Sequence, residues 1–439
     1  MLDPIPASVL KNCYDLLLPF ITKVVNCSLH NCTLTSDMKR AIVRPSLKKP
    51  SPDYQLYKNH RPISNLMFLC TCCEKVAASQ FISHLQENKL EEIFQSAYKV
   101  GYSTESALLR VHNDVLCALD DGRCVMLVLL DLSAAFDTVD HGILLSRLSQ
   151  FIGVQGSAYT WFESYWSSRS QFVQIRDTSF PDRQLTCGLP QGSVLGPILY
   201  LVYTSALGGI LRRHCVGFHM YADDTQLYLS TKTTKVEDVV SALTRVVVCL
   251  SKLKQWMLLN NLRLNNDKTE LLVLHAKHRP NPQLDSTVVG DGTVEPTSSA
   301  RNIGAVFDDT MSFEEHVNEL CRTAFYHTRN ISHIRPCLSI DSTKTLVHAL
   351  VTSRLDHSNA LLYGLNDYLI QRLQYVMNAA AKVITCKRKF DHVTPLLIEL
   401  HWLPVRQRIV FKILLYTFKA LHGATPTYVT ELISLYVPR

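Results

Sequence analysis

Apolar and polar positions along the chain switch between a helical and an alternating period, and the switch points mark its elements. Leu10 to Ile21 has helical spacing. The first sixty residues read as helices with one short extended piece, Ala41-Ile42-Val43, running into the basic Lys48-Lys49-Pro50. Amphipathic helices are predicted over 75–90 and 104–119. Thr104-Glu105 opens the second, with Leu108, Leu109, Val115 and Leu116 near one face and Val111 at its edge. Cys124 to Leu130 is an unbroken, β-rich apolar run ending in Asp131, the pattern of a strand buried on both faces. A helix over 140–151 follows, then a hairpin over 171–188 (Phe172, Val173, Ile175, Leu185), then a helix starting near Val194–Pro197 with Ile198, Leu199, Leu201 and Val202. His219-Met220-Tyr221 and Gln226-Leu227-Tyr228-Leu229 flank Ala222-Asp223-Asp224-Thr225, which predicts a hairpin with a tight acidic turn. A long helix over 236–262 and strand-like pieces at Leu264 and Leu271–Leu274 come next. Residues 277–300, with Pro280, Pro282, Gly290-Asp291-Gly292 and Pro296, are expected to be a loop with a small hairpin. The remainder is helical, and Leu369, Leu373, Val376, Ala380 and Val383 form one apolar stripe.

Composition narrows the class. With 439 residues, 47% apolar and 19% charged, the chain can bury a sizeable core and divide into two or three domains of about 150 residues. Its 16 glycines and 18 prolines exclude a fibrous or low-complexity chain. No uninterrupted apolar run reaches the ~18 residues that span a bilayer. Met1 to Pro6 lacks the basic flank and apolar stretch of a secretory signal. An intracellular setting is expected, in nucleus or cytoplasm, with no membrane and no stable protein partner. The 14 cysteines show no pairing spacing and read as reduced, buried small hydrophobes. A zinc site at Cys70-Thr71-Cys72-Cys73 is the sharper alternative, but no second Cys/His pair lies at finger spacing. The net charge of +7 is uneven. Residues 321–439 hold 15 Lys and Arg against 6 Asp and Glu, whereas the first 320 hold 30 against 32. A polyanion partner for the C-terminal quarter and a merely solvated helical face explain this equally well.

The candidate chemistry is acidic. Asp120-Asp121, Asp223-Asp224 and Asp308-Asp309 each adjoin an apolar segment, and a solvated turn explains each one alone. Context separates them. Asp223-Asp224 sits at the tip of a tight hairpin, and Asp131 ends a buried strand. Placed side by side, those strands bring three carboxylates together. Like charges so close raise one another's pKa unless a cation intervenes, and Mg²⁺ suits a few carboxylates plus substrate phosphates. Two such ions can stabilise both the attacking and the leaving oxygen of a phosphoryl transfer.

Seven segments in order then resemble known motifs. Leu130-Asp131-Leu132-Ser133-Ala134-Ala135-Phe136-Asp137, Gly188-Leu189-Pro190-Gln191-Gly192-Ser193-Val194-Leu195-Gly196-Pro197 and Tyr221-Ala222-Asp223-Asp224 resemble three successive polymerase motifs of reverse transcriptases from non-LTR (LINE-type) retrotransposons. Asn59-His60-Arg61-Pro62-Ile63-Ser64-Asn65 and Gln95-Ser96-Ala97-Tyr98-Lys99 resemble the two fingers motifs. Leu264 to Glu270 resembles the segment with the palm lysine, and Asn302 to Asp308 the primer-grip region. The group most resembled is jockey/CR1/L2-like.

The resemblance implies an α+β, right-hand polymerase: an N-terminal extension and fingers over 1–120, a palm with an antiparallel sheet over 121–310 (with a fingers insertion at 140–185), and a basic helical thumb and C-terminal segment over 311–439. The reverse transcriptase domain is expected at 30–308. It implies RNA-directed DNA synthesis from dNTPs on an RNA template and a DNA primer, with two Mg²⁺ ions, or Mn²⁺ in their place. Asp131, Asp223 and the main-chain carbonyl of Leu132 would hold the metals, with Asp224 assisting. Arg61 and Lys99 would hold the triphosphate, and Gln191 and Gly192 would lie by the incoming nucleotide and template. Phe136 would exclude a ribose 2′-OH, unless it is ordinary core packing. Lys268 would protonate the pyrophosphate leaving group, unless it is a surface lysine. Ile303 and Gly304 fall in the primer-grip region, and His141 reads as a helix-start residue. Departures are His60 for a usual Tyr or Phe, Thr71 for a usual Lys, and Ala97 with Tyr98-Lys99 for a usual Gly-Phe-Arg. Full elements of this kind carry an N-terminal endonuclease, which is not expected here because the chain begins at the fingers. The alternative is an inactive or domesticated truncated copy that only binds nucleic acid.

Overall fold

The structure, a computed structural model, describes residues 3, 5–48, 53–133, 135–232, 235–279, 287–289 and 292–434. Pro280, Pro282 and Gly290-Asp291 of the expected loop, together with Lys49-Pro50 and Ala134, lie outside the described residues. The chain divides into two compact units, each assembled from three segments. One takes Met1–Tyr98, Leu132–Arg213 and Ser251–Asn265; the other takes Lys99–Asp131, His214–Leu250 and Asn266–Arg439.

The second unit is built on a five-stranded sheet. Its strands are β1 (Val125–Leu130), β2 (Gly217–Tyr221), β3 (Asp224–Ser230), β4 (Glu270–Leu274) and β5 (Pro296–Thr297), in the spatial order β5-β4-β1-β3-β2. All six residues of β1 are buried, which is why it carries no polar residue to alternate. It pairs antiparallel with β3 on one side and β4 on the other, so every ladder bond is satisfied without an exposed edge. The helix Thr104–Asp120 lays Leu108, Val111 and Val115 into the same core as Val125, Leu127 and Leu129. It opens at Thr104, where the pattern predicts it. Ser103 is the cap, accepting from the Ser106 amide, and the Ser106 hydroxyl accepts in return from the Ser103 amide.

The remainder of this unit is helical. In Asp367–Thr385 the buried positions are Leu369, Ile370, Leu373, Val376, Met377, Ala380, Ala381 and Ile384. The stripe is therefore wider than one row, and Val383 sits at its margin rather than in it. A hairpin of β6 (Ser299–Asn302) and β7 (Ala305–Asp308) turns through Ile303 and Gly304, both with positive φ. A Cβ on Gly304 would come 2.8 Å from His357 Nε2, so glycine answers to contact as well as to conformation.

The first unit holds a second sheet. Arg40–Leu47 pairs antiparallel with His60–Leu66 and parallel with Ser170–Ile175, which in turn pairs with Thr178–Ser179 and Arg183–Gln184. The expected hairpin over 171–188 is thus shorter, because most of Ser170–Ile175 is drawn into pairing with a distant strand. The helix Gly156–Trp166 is one the periodic reading leaves out. Four of its aromatics, Trp161, Phe162, Tyr165 and Trp166, are buried. Helices Ala7–Asn12 and Tyr14–His30 match the spacing noted from Leu10, yet Leu16, Leu18 and Phe20 stay exposed. The stretch Leu195–Arg213 is, among the described residues, the one long and apolar enough to cross a membrane; 61% of it is buried, as a core helix would be.

All fourteen cysteines are free thiols. Cys70 and Cys73 are fully buried in the helix Phe68–Glu87, and burial pushes the Cys70 thiol up to about 12. No group of three or more His, Cys, Asp and Glu side chains that could hold a metal ion occurs among the described residues, so the zinc alternative at Cys70-Thr71-Cys72-Cys73 is not supported.

Leu127 is fully buried at the centre of the second unit's five-stranded sheet, whereas Leu258 is 57% exposed. Leu127→Ala should lower the urea unfolding free energy by about 2–5 kcal/mol, and Leu258→Ala by less than about 0.5 kcal/mol. Equal effects from the two would contradict the placement of β1.

Candidate active site

The hairpin from β2 to β3 is closed by two residues, Ala222 and Asp223, between the paired Tyr221 and Asp224. Ala222 has φ +57° and Asp223 is not in the left-handed region, the pattern of a primed turn that matches strand twist. An alanine there is strained, since only glycine enters that region without cost. On the neighbouring strand Leu130 pairs with Thr225, so the antiparallel register carries Asp131 to the level of Asp224. Three carboxylates from two distant stretches of sequence thus gather at one end of the sheet.

A cation already stands among them. Lys268 Nζ donates to Asp131 Oδ2 at 2.7 Å, reaching from the turn Asn266–Lys268 just ahead of β4. Its pKa is raised, chiefly by that hydrogen bond and then by the charges of Asp131, Asp223 and Asp224. The Asp224 carboxyl is pushed up to about 6 by partial loss of solvent first, then by the Asp223 and Asp131 charges; Lys268 opposes the shift. One ammonium does not neutralise three carboxylates. Burial and the remaining negative charge together raise Asp224, and the donor set, three hard carboxylate groups, fits a divalent cation. Among the described residues the three side chains do not form a ready-made ligand group, and the lysine holds Asp131. His219 in β2 is fully buried, and burial drives its imidazole down to about 3, so it is neutral and no base.

Other expected site residues belong to the first unit. Gln191 Nε2 donates to Asp137 Oδ1 at 2.9 Å, and the Gln191 carbonyl accepts from the Ser64 amide at 2.7 Å. Gly192 has φ +124°, and a Cβ there would lie 2.6 Å from the Ser64 carbonyl oxygen. That close backbone approach explains the glycine. Phe136 is half-buried and stacks on Tyr200, centroids 4.6 Å apart, while its carbonyl accepts from the Leu189 amide. Leu132 is buried and bridges Leu264. Arg61 is exposed in the strand His60–Leu66. His141 follows the capping Asp140 and its Nε2 lies 2.8 Å from the Gly188 carbonyl, in keeping with a helix-start role. In the second unit Lys99 Nζ lies 5.3 Å from the Tyr102 ring centroid, and Ile303 and Gly304 form the β6–β7 turn.

Two positioning groups receive no role in the motif reading. Asp137 orients the Gln191 amide. Glu74, fully buried, accepts from the Tyr165 hydroxyl at 2.5 Å and from the Val194 amide at 2.8 Å, which fixes the start of the helix Leu195–Thr204 just after Gln191-Gly192. Burial raises the Glu74 carboxyl, and the buried Arg169 charge counters this. An acidic residue within an apolar helical stretch is the signal that could have exposed Glu74.

A family model, reverse transcriptase (RNA-dependent DNA polymerase), matches residues 47–305. The chain belongs to the reverse transcriptase family. The fold is accordingly that of the right-hand polymerases, in keeping with the mixed helices and sheet described above. Among relatives, the probable RNA-directed DNA polymerase from transposon BS of Drosophila melanogaster is 26% identical over 77% of this chain and 37% of its own length. That from the X-element of the same species is 24% identical over 83% and 40%. The RNA-directed DNA polymerase from mobile element jockey of Drosophila funebris is 24% identical over 70% and 33%. Such relatives accord with a LINE-type reverse transcriptase, and the chain spans about two-fifths or less of their lengths. Among solved structures, apo telomerase from Candida tropicalis aligns at TM-score 0.43 and 10% identity, covering 66% of this chain and 58% of that one.

The Asp224 shift sets a pH dependence. The folded state holds this proton more tightly than the unfolded chain, so its contribution to stability falls as pH rises from 3.8 to about 6. Asp224→Asn removes that loss. In EDTA, the variant's urea midpoint should gain on wild type between about pH 3.5 and pH 7. A constant difference across that range would contradict the raised Asp224 pKa.

Proposed function

We propose that this chain is an RNA-directed DNA polymerase that joins a dNTP to a primer 3′-OH on an RNA template. The observation that carries the reading is the convergence of Asp131, Asp223 and Asp224 at one end of an antiparallel sheet, with Lys268 on Asp131. Family membership supports it, since reverse transcriptases in general use divalent metal ions.

Asp131, Asp223 and Asp224 would hold two Mg²⁺ ions, with the Leu132 carbonyl as a further ligand; bound there, the ions would supply charge stabilisation to the attacking and leaving oxygens. The protein's own share is positioning and protons. The β2–β3 turn fixes Asp223, and the register fixes Asp131 opposite. Lys268, protonated and held by Asp131, is a proton donor of suitable charge for a leaving pyrophosphate. Arg61 and Lys99 are the proposed triphosphate cations. Gln191, oriented by Asp137, and Gly192, pressed on the Ser64 carbonyl, present a fixed backbone edge to the nucleotide and template. Phe136, braced by Tyr200, is the proposed barrier to a ribose 2′-OH. Residues 1–120, 121–310 and 311–439 would serve as fingers, palm and thumb, and the free thiols suit an intracellular setting.

Purified chain should extend a DNA primer on an RNA template with Mg²⁺, and Asp223→Ala should lower the rate at least about a hundred-fold while binding of primer–template persists. Unchanged extension would refute the assignment, and binding without any extension by the wild-type chain would favour the inactive copy. Phe136→Ala should shift the ratio of ribonucleotide to deoxynucleotide incorporation upward by about 10- to 100-fold. A ratio equal to that of wild type removes the barrier role.

A further inference from the structure

Four cations of the basic C-terminal quarter, Arg335, Lys382, Lys387 and Lys389, lie at one place. The helix Asp367–Thr385 ends at Cys386, whose φ of +55° reverses the chain, and the Lys387 amide then bonds to the Lys382 carbonyl at 3.0 Å. Lys382 Nζ donates to the Lys389 carbonyl and holds the returning segment against the helix end. The fold-back frames an open groove of ≈ 1050 Å³. Its lining includes Arg335, Lys382, Lys387 and Lys389, with the aromatic rings of Phe325 and Tyr375 on the wall, and no acidic residue.

The cations differ in employment. Arg335 donates to the carbonyls of Val383, Ile384 and Leu338 at 3.1, 3.0 and 2.7 Å. It cancels the negative helix end that would otherwise repel an anion. The three lysines then give the groove its net positive charge. Tyr375 is 55% exposed, Phe325 37% and the adjacent Phe390 90%, so planar faces stand open beside the ammonium groups. Asn378 adds an amide to the lining.

A duplex presents phosphates but hides its base faces. A single strand presents both, and alternating cations and open aromatic rings are what bind it. We propose that this groove is a binding site for single-stranded RNA, separate from the catalytic carboxylates. Phosphates lie on Lys382, Lys387 and Lys389, and bases stack on Tyr375 and Phe325. The choice of RNA over other single strands rests on the proposed RNA-templated function; the groove and its charge do not.

The test uses the full chain in EDTA without nucleotides, so that it reads binding apart from catalysis. The probe is a fluorescent 12-nucleotide oligouridylate, with a blunt RNA duplex of equal length as comparison. Lys382→Gln, Lys387→Gln and Lys389→Gln together should flatten the log–log salt dependence of oligouridylate binding by about 2. Tyr375→Leu should weaken oligouridylate binding about ten-fold and leave duplex binding within about two-fold. A 4-thiouridine probe should crosslink to the peptide containing Tyr375. Matching thermal unfolding of the variants secures the comparison. Unchanged affinity and salt slope in both variants would overturn the site. Equal weakening of duplex and single strand by Tyr375→Leu, or capture of an acidic peptide in preference to oligouridylate, would overturn its assignment to single-stranded RNA.

Discussion

Repulsion among three carboxylates is the constraint around which the second unit is arranged. Asp131, Asp223 and Asp224 meet where β1 ends and the β2–β3 hairpin turns, and their charges disfavour that meeting. The unit is held there by what lies behind. The wholly apolar β1, clamped between two antiparallel partners and covered by the helix Thr104–Asp120, leaves the acidic ends no freedom to separate. Lys268 offsets part of the repulsion at 2.7 Å from Asp131. Burial first, and then what remains of the repulsion, raise the Asp224 pKa, and the three carboxylates fit a divalent cation. Structural stability is given up at this end of the sheet to hold three hard carboxylate groups together.

The same exchange appears elsewhere in smaller form. Ala222 accepts a positive φ to aim Asp223, and Gly192 accepts one to bring the backbone onto Ser64. Each turn is braced by a rigid neighbour: the β2–β3 ladder for the strained Ala222, and the buried Glu74, bonded to Val194, for the turn of Gly192. Buried polar groups of this kind persist because they are paired, and removing one partner leaves the other unsatisfied.

Much of the candidate site was legible in the sequence. Asp131 closes an apolar run, and Asp223-Asp224 interrupts two alternating strands; both facts are local. The motif order pointed to the family. The Asp308-Asp309 pair, by contrast, proves to be a turn device, with the Asp308 carboxylate accepting from the amides of Thr310, Ser312 and Phe313. The helix Gly156–Trp166 escaped because its crowd of aromatics has no clear helical period and also suits a strand. Glu74 escaped because a single carboxylate in a helix says nothing about a hydroxyl 91 positions away.

By itself the sequence determined the elements with strong periodicity, the acidic turn, the basic C-terminal quarter and the family to which its motifs belong, since each depends on neighbours within a few positions. Tertiary structure alone decided that Asp131 lies level with Asp224, that Lys268 is the cation placed on it, and that Ser170–Ile175 pairs with a strand beginning at Arg40. It also decided that Arg335 joins the lysines of 382–389 along one groove. Register, charge contact and burial depend on residues far apart in the chain, and a linear pattern has no means of choosing among the pairings that would satisfy it.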